Sequence, residues 1–179
     1  MAEHFHGKST TVHLSNGATQ SLFVALCRIS RLRQRTDDDH AVSDFLESRS
    51  RSHSTAQFSL INPPAEIQAA ARREFLAKVL AEFIDLVCQR KLTSEIIDID
   101  FDDELRMSWL PRMIDLYQIV AESEPTANIP KLNINLSPSE EQQVTLGRLS
   151  WASLNLKKYF PTNYPDRVTH LNELIKFAV

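Results

Sequence analysis

An acidic stretch near the middle of the chain contains side chains that could bind a cation. Its five carboxylates are Asp98, Asp100, Asp102, Asp103 and Glu104. An EF-hand calcium loop needs glycine at its sixth position and a bidentate glutamate at its twelfth. Counted from Asp98, the sixth position is Asp103 and the twelfth is Trp109, so the calcium pattern fails. The stretch is typical either of the solvated face of an edge strand or of a surface that attracts cations.

Arg35 and His40 are a second pair with catalytic potential, because they have the spacing Arg-x4-His. This spacing resembles the catalytic pattern of HEPN-type ribonucleases, which are small helical proteins. The resemblance implies that His40 would exchange protons with the attacking and leaving oxygens, while Arg35 would stabilise charge on the phosphate. It covers six residues, and three of the four between the pair are aspartates. A surface arginine beside a histidine at a helix start is the structural alternative.

The sequence lacks the motifs of phosphate-binding loops and of zinc sites. The chain has only three glycines, whereas phosphate cradles need several close together. The six histidines and two cysteines show no zinc-binding spacing, and His4 and His6 suggest adventitious metal binding at most. Cys27 and Cys88 both lie in apolar helical patterns, which indicates buried free thiols. We therefore expect neither a cofactor nor a metal site.

The arginines between residues 28 and 73 could form a phosphate-binding patch. Residues 28–90 nevertheless contain ten basic and nine acidic side chains, which favours a solvated helix face. The patch is formed by Arg28, Arg31, Arg33, Arg35, Arg49, Arg51, Arg72 and Arg73. A nucleic-acid-binding accessory subunit is the function that such a patch would serve.

Charge is unevenly distributed along the chain. Residues 92–145 contain three basic and eleven acidic side chains, a net of −8, although the whole chain carries only −3. The same segment contains Trp109, a residue type enriched at protein interfaces, whose structural alternative is a place in the core. Asp98–Glu104 together with Trp109 therefore form the candidate partner-binding site, and its acidity favours a basic protein over nucleic acid.

Hydrophobic periodicity predicts the elements that would position these residues. Six helices are expected, at about 19–35, 41–48, 65–90, 108–122, 137–159 and 166–177. In the fifth, Ser137-Pro138-Ser139-Glu140 has the pattern of a capped helix start. Period-two alternation predicts strands at Glu95–Asp102 and Leu132–Leu136, with further short strands at 11–14 and 57–61.

These elements predict a mainly α fold, a compact single domain over 1–179 with about six helices and a minor sheet of two to four strands. Residues 1–8 are expected to be mobile. No apolar stretch approaches the roughly 20 residues that cross a bilayer, and no signal peptide begins the chain, so a cytoplasmic location is expected.

The functional hypothesis is a non-enzymatic interaction protein that binds a basic partner through the acidic surface. An adaptor, a regulatory subunit and an immunity protein that blocks a basic toxin all fit this description. A metal-independent ribonuclease that uses Arg35 and His40 is the alternative. The wide apolar face of the third helix would also allow a homodimer.

Overall fold

The computed structural model describes residues 2–8, 11–51, 58–59, 63–123, 128–132 and 134–159. The predicted fold class, mainly helical with a minor sheet, is confirmed. Five of the six predicted helices lie in the described ranges, and the sixth, at 166–177, lies outside them. The elements are β1 (Ala2–His6), β2 (Thr11–Ser15), α1 (Asn16–Arg33), α2 (Asp37–Arg51), β3 (Phe58–Ser59), α3 (Ala70–Cys88), α4 (Asp103–Ser123) and α5 (Pro138–Tyr159).

The sheet has the strand order β2-β1-β3, with β1 antiparallel to β2 and parallel to β3. Phe5, Val12 and Leu14 are at most 2% exposed, so one face of the hairpin packs on the core. Ala2–His6 forms the central strand, with β2 on one side and β3 on the other. The mobility expected for residues 1–8 stays a prediction.

α1 and α2 form a helical hairpin with well-defined ends. The side chain of Ser15 accepts a hydrogen bond from the Ala18 amide and caps α1. Between the helices, the Asp39 carboxylate accepts the amides of Arg35 and Thr36 at 2.8 and 3.0 Å. These bonds satisfy donors that the start of a helix would otherwise leave unpaired.

α3 is the central helix, as its wide apolar face predicts. It contacts α1, α2 and α4, and nine of its residues are buried. The predicted single helix from Ala65 to Arg90 is interrupted, because Ala69 has an extended backbone and separates α3 from a 3-10 turn at Ala65–Ile67.

No helix in the described ranges is both long and apolar enough to span a bilayer.

The two strands predicted from alternating residues are wrong. The chain at 95–102 forms turns and bends, and the described part of 132–136 forms neither a strand nor a helix. Ile97 is 2% exposed, whereas Ile99 is 37% exposed, so the alternation at 95–102 does not produce one buried face. In both segments several apolar side chains, among them Ile97 and Ile134, pack a connection against the core.

A buried arginine joins three helices. Arg106 of α4 is 2% exposed, and its guanidinium donates to the carbonyl oxygens of Val87 and Cys88, each at 2.8 Å, and to Glu140 at 2.7 Å. The two carbonyls are among those that the end of α3 leaves without helical partners. Glu140 also accepts the Ser137 amide at 2.9 Å, so the predicted capped start of α5 is confirmed. One side chain thus fixes the end of α3 and the start of α5 on α4.

α4 and α5 approach closely at Pro111 and Gly147. A Cβ built on Gly147 would lie 2.7 Å from Cγ of Pro111. Glycine in a helix interior lowers helix stability by about 1 kcal/mol relative to alanine. Its presence here is explained by the contact, since only a residue without a side chain leaves room for the proline ring.

We predict that Gly147→Ala lowers the free energy of unfolding by about 1–3 kcal/mol, because the rigid Pro111 ring cannot move aside. Gly17→Ala in α1 is the matched control, since a Cβ there meets nothing within 4 Å. That variant should be neutral or more stable by up to about 1 kcal/mol. Urea unfolding monitored by circular dichroism measures both, and a stabilising effect of Gly147→Ala would contradict the close packing of α4 on α5.

The Arg106–Glu140 pair also predicts a pH dependence. The Ser137 amide and the Arg106 guanidinium lower the pKa of Glu140 to about 2 from 4.5. Because the folded-state pKa lies below the unfolded value, this stabilisation is complete above about pH 4.5 and is lost as the pH falls toward 2. Glu140→Gln should therefore flatten the pH dependence of stability in that window and lower stability at pH 7 by about 2 kcal/mol or more.

Glu141→Gln is the control for this variant, because Glu141 is the exposed neighbour in the same helical turn. Urea unfolding between pH 2 and pH 7 provides the measurement. Identical pH profiles for Glu140→Gln and the parent protein would show that folding does not lower the pKa of Glu140, and would contradict the contact with Arg106.

Candidate interaction surface

The acidic surface lies on the connection between α3 and α4. Arg90 has a φ of 55°, a left-handed turn that redirects the chain just after α3 ends. The Ile96 and Ile97 amides then donate to the carbonyl of Thr93 at 2.9 and 3.0 Å, which closes a tight turn. Buried Ile97 anchors this turn to the core. The following residues, 98–104, carry the five carboxylates into the first turn of α4, and all five carboxylate residues are exposed. We call these five residues the acidic surface.

Asp98 is bound to α1 through Arg28. The guanidinium donates to both carboxylate oxygens, at 2.9 and 2.8 Å, and to the carbonyl of Ser94 at 3.4 Å. The hydrogen bonds from Arg28 lower the pKa of Asp98. This contact holds the turn against α1, so Asp98 has a structural role.

Asp102 and Asp103 organise the start of α4. The Asp102 side chain accepts the Leu105 amide at 2.8 Å, as a helix cap does. Asp103 pairs with Arg90 at 2.8 Å, and the same guanidinium reaches Glu140 at 2.9 Å. The left-handed residue after α3 is thereby tied to α4 and to the start of α5.

Asp100 and Glu104 differ from the other three carboxylates. Both are exposed, and neither has an ion-pair partner among the side chains that the structure describes. Arg28 and Arg90 balance two of the five charges, which leaves a net of three negative charges. Ile99 lies between Asp98 and Asp100, and its 37% exposure makes it one of two large exposed apolar residues in the described ranges. An exposed carboxylate without an ion-pair partner, Asp100, therefore follows an accessible apolar side chain in the sequence.

The prediction of Trp109 as an accessible anchor is wrong. Trp109 is 4% exposed, because it lies on the face of α4 that packs against α3. Its ring contacts Phe83 at a centroid distance of 6.3 Å and Phe101 edge-on at 5.4 Å. Phe101 belongs to the connection that carries the acidic surface, so Trp109 supports this surface from below and does not contact a partner.

Arg35 and His40 are both exposed, near the junction of α1 and α2. Arg35 lines an open cavity of about 550 Å³, but His40 is not among its lining residues. The charged lining consists of Arg33, Arg35, Lys78, Asp39, Glu74 and Glu82. Three carboxylates balance the three cations of this lining, so it offers no net positive charge to attract a phosphate. This arrangement adds nothing in favour of the ribonuclease hypothesis.

Most of the candidate phosphate-binding arginines bind carboxylates of the same molecule. Such pairs neutralise the positive field that nucleic-acid binding requires. The pairs are Arg28–Asp98, Arg31–Asp44, Arg31–Glu47, Arg33–Glu82, Arg51–Glu47 and Arg72–Asp38. These contacts fit the prediction of a solvated helix face.

The cysteines have the properties of inert thiols. Cys27 and Cys88 are both free, and burial is the main cause that raises the pKa of each. A raised pKa keeps a thiol protonated and weakly nucleophilic at neutral pH. Among the described side chains, no group of three or more His, Cys, Asp or Glu could hold a metal ion.

Sequence reasoning missed the residues that shape this surface. Arg28 and Asp98 are 70 positions apart, and no local pattern connects them. Ile99 is part of an alternating pattern, but alternation alone predicts a buried side chain. The positive φ at Arg90 has no sequence signal either, because arginine is not typical of left-handed turns.

We predict that Arg28→Met frees the turn at 93–98 without unfolding the protein. Hydrogen exchange of the Ile96 and Ile97 amides should become faster, while the free energy of unfolding changes little, because the Arg28–Asp98 pair is exposed. Arg33→Met removes another exposed pair, Arg33–Glu82, and should leave those two amides unchanged. Equal exchange rates in all three proteins would show that Arg28 does not hold the turn.

Comparisons with known proteins do not place this chain in a family. No protein-family model matches the sequence, and the searches of curated proteins and of solved structures find no significant match.

Proposed function

We propose that this chain is a non-enzymatic protein-interaction module that binds a basic protein through the acidic surface. An adaptor, a regulatory subunit or an inhibitor of the immunity-protein type would act in this way. The observation that carries the proposal is the exposure of Asp100, Glu104 and Ile99 within the segment 98–104, where the two carboxylates have no ion-pair partners among the described residues. Carboxylates that stabilise the fold, such as Asp98 and Asp103, pair with arginines of the same molecule. The two unpaired carboxylates are available to bind a partner protein.

Binding would proceed in two stages. The net negative charge attracts a cationic surface over a distance of about one Debye length, roughly 8 Å at physiological salt, and raises the association rate. Contact then buries the exposed part of Ile99, which contributes on the order of 1 kcal/mol. An arginine of the partner could bind Asp100 or Glu104 with two parallel hydrogen bonds.

The acidic surface is held in place before any partner arrives. Ile97 is buried beneath it, Arg28 holds Asp98, and Arg90 holds Asp103. A surface that is already ordered loses little conformational entropy on binding. These contacts therefore favour recognition by a preformed site over folding upon binding.

The proposal favours a partner with another sequence over a second copy of this chain. Two copies of the acidic surface would repel each other, so a homodimer would have to use another face. A cytoplasmic location belongs to the same proposal, since Cys27 and Cys88 are both free and thiols persist in reducing compartments.

Site-specific photo-crosslinking tests whether this surface meets a partner. A photoreactive residue at position 99 should capture a basic protein in source cells, whereas one at position 32 should not. Leu32 is the matched control, because it is the other large exposed apolar residue of the described ranges and is 68% exposed in the last turn of α1. Equal capture from both positions, or none from position 99, would contradict the proposed surface.

The captured protein then allows a charge test. Asp100→Asn/Glu104→Gln should slow its association about three- to tenfold at low salt and flatten the salt dependence of the rate. Asp37→Asn/Glu141→Gln removes the same charge from exposed first turns of α2 and α5 and should have little effect. If both double variants behave alike, net charge and not the acidic surface governs binding.

A further inference from the structure

A small cavity lies between the end of α3 and the start of α4. Its volume is about 150 Å³, the size of an engineered core cavity that takes up one benzene molecule. Asp102 and Asp103, which belong to the acidic surface, are among its lining residues. The cavity is therefore continuous with the acidic surface, and its size suits one side chain of a partner. We call it the anchor pocket.

The exposure of the lining residues separates the floor of the anchor pocket from its walls and its rim. Val87 and Arg106 are 1% and 2% exposed, so they form the floor. The walls are half-buried and apolar, whereas the rim is exposed and charged. The walls are Leu86, Leu92 and Phe101, and the rim is Arg90, Asp102 and Asp103.

The rim has a net negative charge. Asp103 is balanced by Arg90 at 2.8 Å. Asp102 accepts the Leu105 amide, but it has no ion-pair partner among the described side chains. The unpaired charge of Asp102 adds to those of Asp100 and Glu104 in the same segment. Basic residues of a partner are therefore attracted to the rim.

The floor, in contrast, has a positive group in a fixed position. The guanidinium of Arg106 donates to the carbonyls of Val87 and Cys88 and to Glu140, at 2.7 to 2.8 Å. These bonds use the N–H groups in the guanidinium plane, and the flat faces of such a group can stack on an aromatic ring. A cation would be repelled at this floor, and an aliphatic group would cover the charge without compensation. An aromatic ring is attracted, because the face of its π system is negative.

We propose that the anchor pocket binds the phenyl ring of a Phe or Tyr side chain of the basic partner. The inference rests on the proposed function and adds the residue that the partner inserts. The ring would contact the walls formed by Leu86, Leu92 and Phe101, while a neighbouring basic residue of the partner would bind Asp102. Aromatic residues are enriched at interfaces, and the residues that dominate binding fill pockets of this kind.

Small amines test the pocket without a partner, because they combine a ring with a positive charge. Benzylamine, which is protonated at neutral pH, should bind with a Kd of about 1–10 mM. NMR titration should show shifts of the Leu92, Phe101 and Arg106 amides. Cyclohexylmethylamine has the same charge and a similar size but no π system, so it should bind at least threefold more weakly. Benzoate reverses the charge and should also bind at least threefold more weakly, because Asp102 repels it.

Two variants locate the binding. Leu92→Trp should fill the pocket and abolish benzylamine binding, whereas Leu136→Trp should not change it. Leu136 is the matched control, since it is another half-buried leucine of a connection and does not line the pocket. Asp102→Asn keeps an oxygen for the Leu105 amide but removes the charge. It should weaken benzylamine binding about two- to fivefold and leave the binding of uncharged benzyl alcohol unchanged.

Circular dichroism shows whether each variant folds, and Asp102→Asn decides the outcome if Leu92→Trp unfolds. Absence of shifts at the three amides, or equal affinities for benzylamine and cyclohexylmethylamine, would overturn the aromatic pocket. A basic protein captured from position 99 that binds Leu92→Trp as tightly as the parent would also overturn it, although the proposed function would stand. If position 99 captures no protein while benzylamine binds as described, the pocket is supported and only the proposed function fails.

Discussion

Arg106 places a permanently charged group among α3, α4 and α5, where it is 2% exposed. Removing a guanidinium from water costs several kcal/mol unless its donors are satisfied and its charge is balanced. Here two donors bind the carbonyls of Val87 and Cys88, and a third binds Glu140. The end of α3 and the start of α5 must therefore stay where those acceptors are. Because Arg106 itself lies near the start of α4, its bonds to the end of α3 also fix both ends of the connection that carries the acidic surface.

The carboxylates of α4, of the connection before it and of the start of α5 fall into two groups with different physical roles. Glu140, Asp98 and Asp103 bind arginines of the same molecule. The Ser137 amide and the Arg106 guanidinium lower the pKa of Glu140, and the hydrogen bonds from Arg28 lower that of Asp98. Asp115 on α4 also pairs with an arginine, Arg148, but burial dominates there and raises its pKa. These four carboxylates serve the fold. Asp100 and Glu104 do not, and this difference separates them as candidates for recognition.

The extent to which the sequence predicts this structure depends on the range of the interaction concerned. Helical periodicity and the Ser137–Glu140 cap act within four residues, and the structure confirms five of the six predicted helices and the cap. Period-two alternation at 95–102 predicts a strand wrongly, since a strand also needs a neighbour, which no local pattern supplies. The burial of Trp109 and the pairing of Arg28 with Asp98 depend on contacts across the fold. The composition of the acidic surface was therefore predictable, but its anchor and its internal pairs were not.

A count of charges along the chain says little about function, because contacts between distant residues decide which charges stay unpaired. Residues 92–145 carry a net charge of −8, yet arginines from α1 and from the end of α3 fold back onto Asp98 and Asp103. The potential that a partner meets is set by the carboxylates that remain after this pairing. Few charges are enough when an exposed apolar side chain lies in the same short segment, because electrostatic attraction then speeds the encounter and the apolar contact slows dissociation. Recognition by this protein would thus depend on where its charges are left unpaired rather than on how many it has.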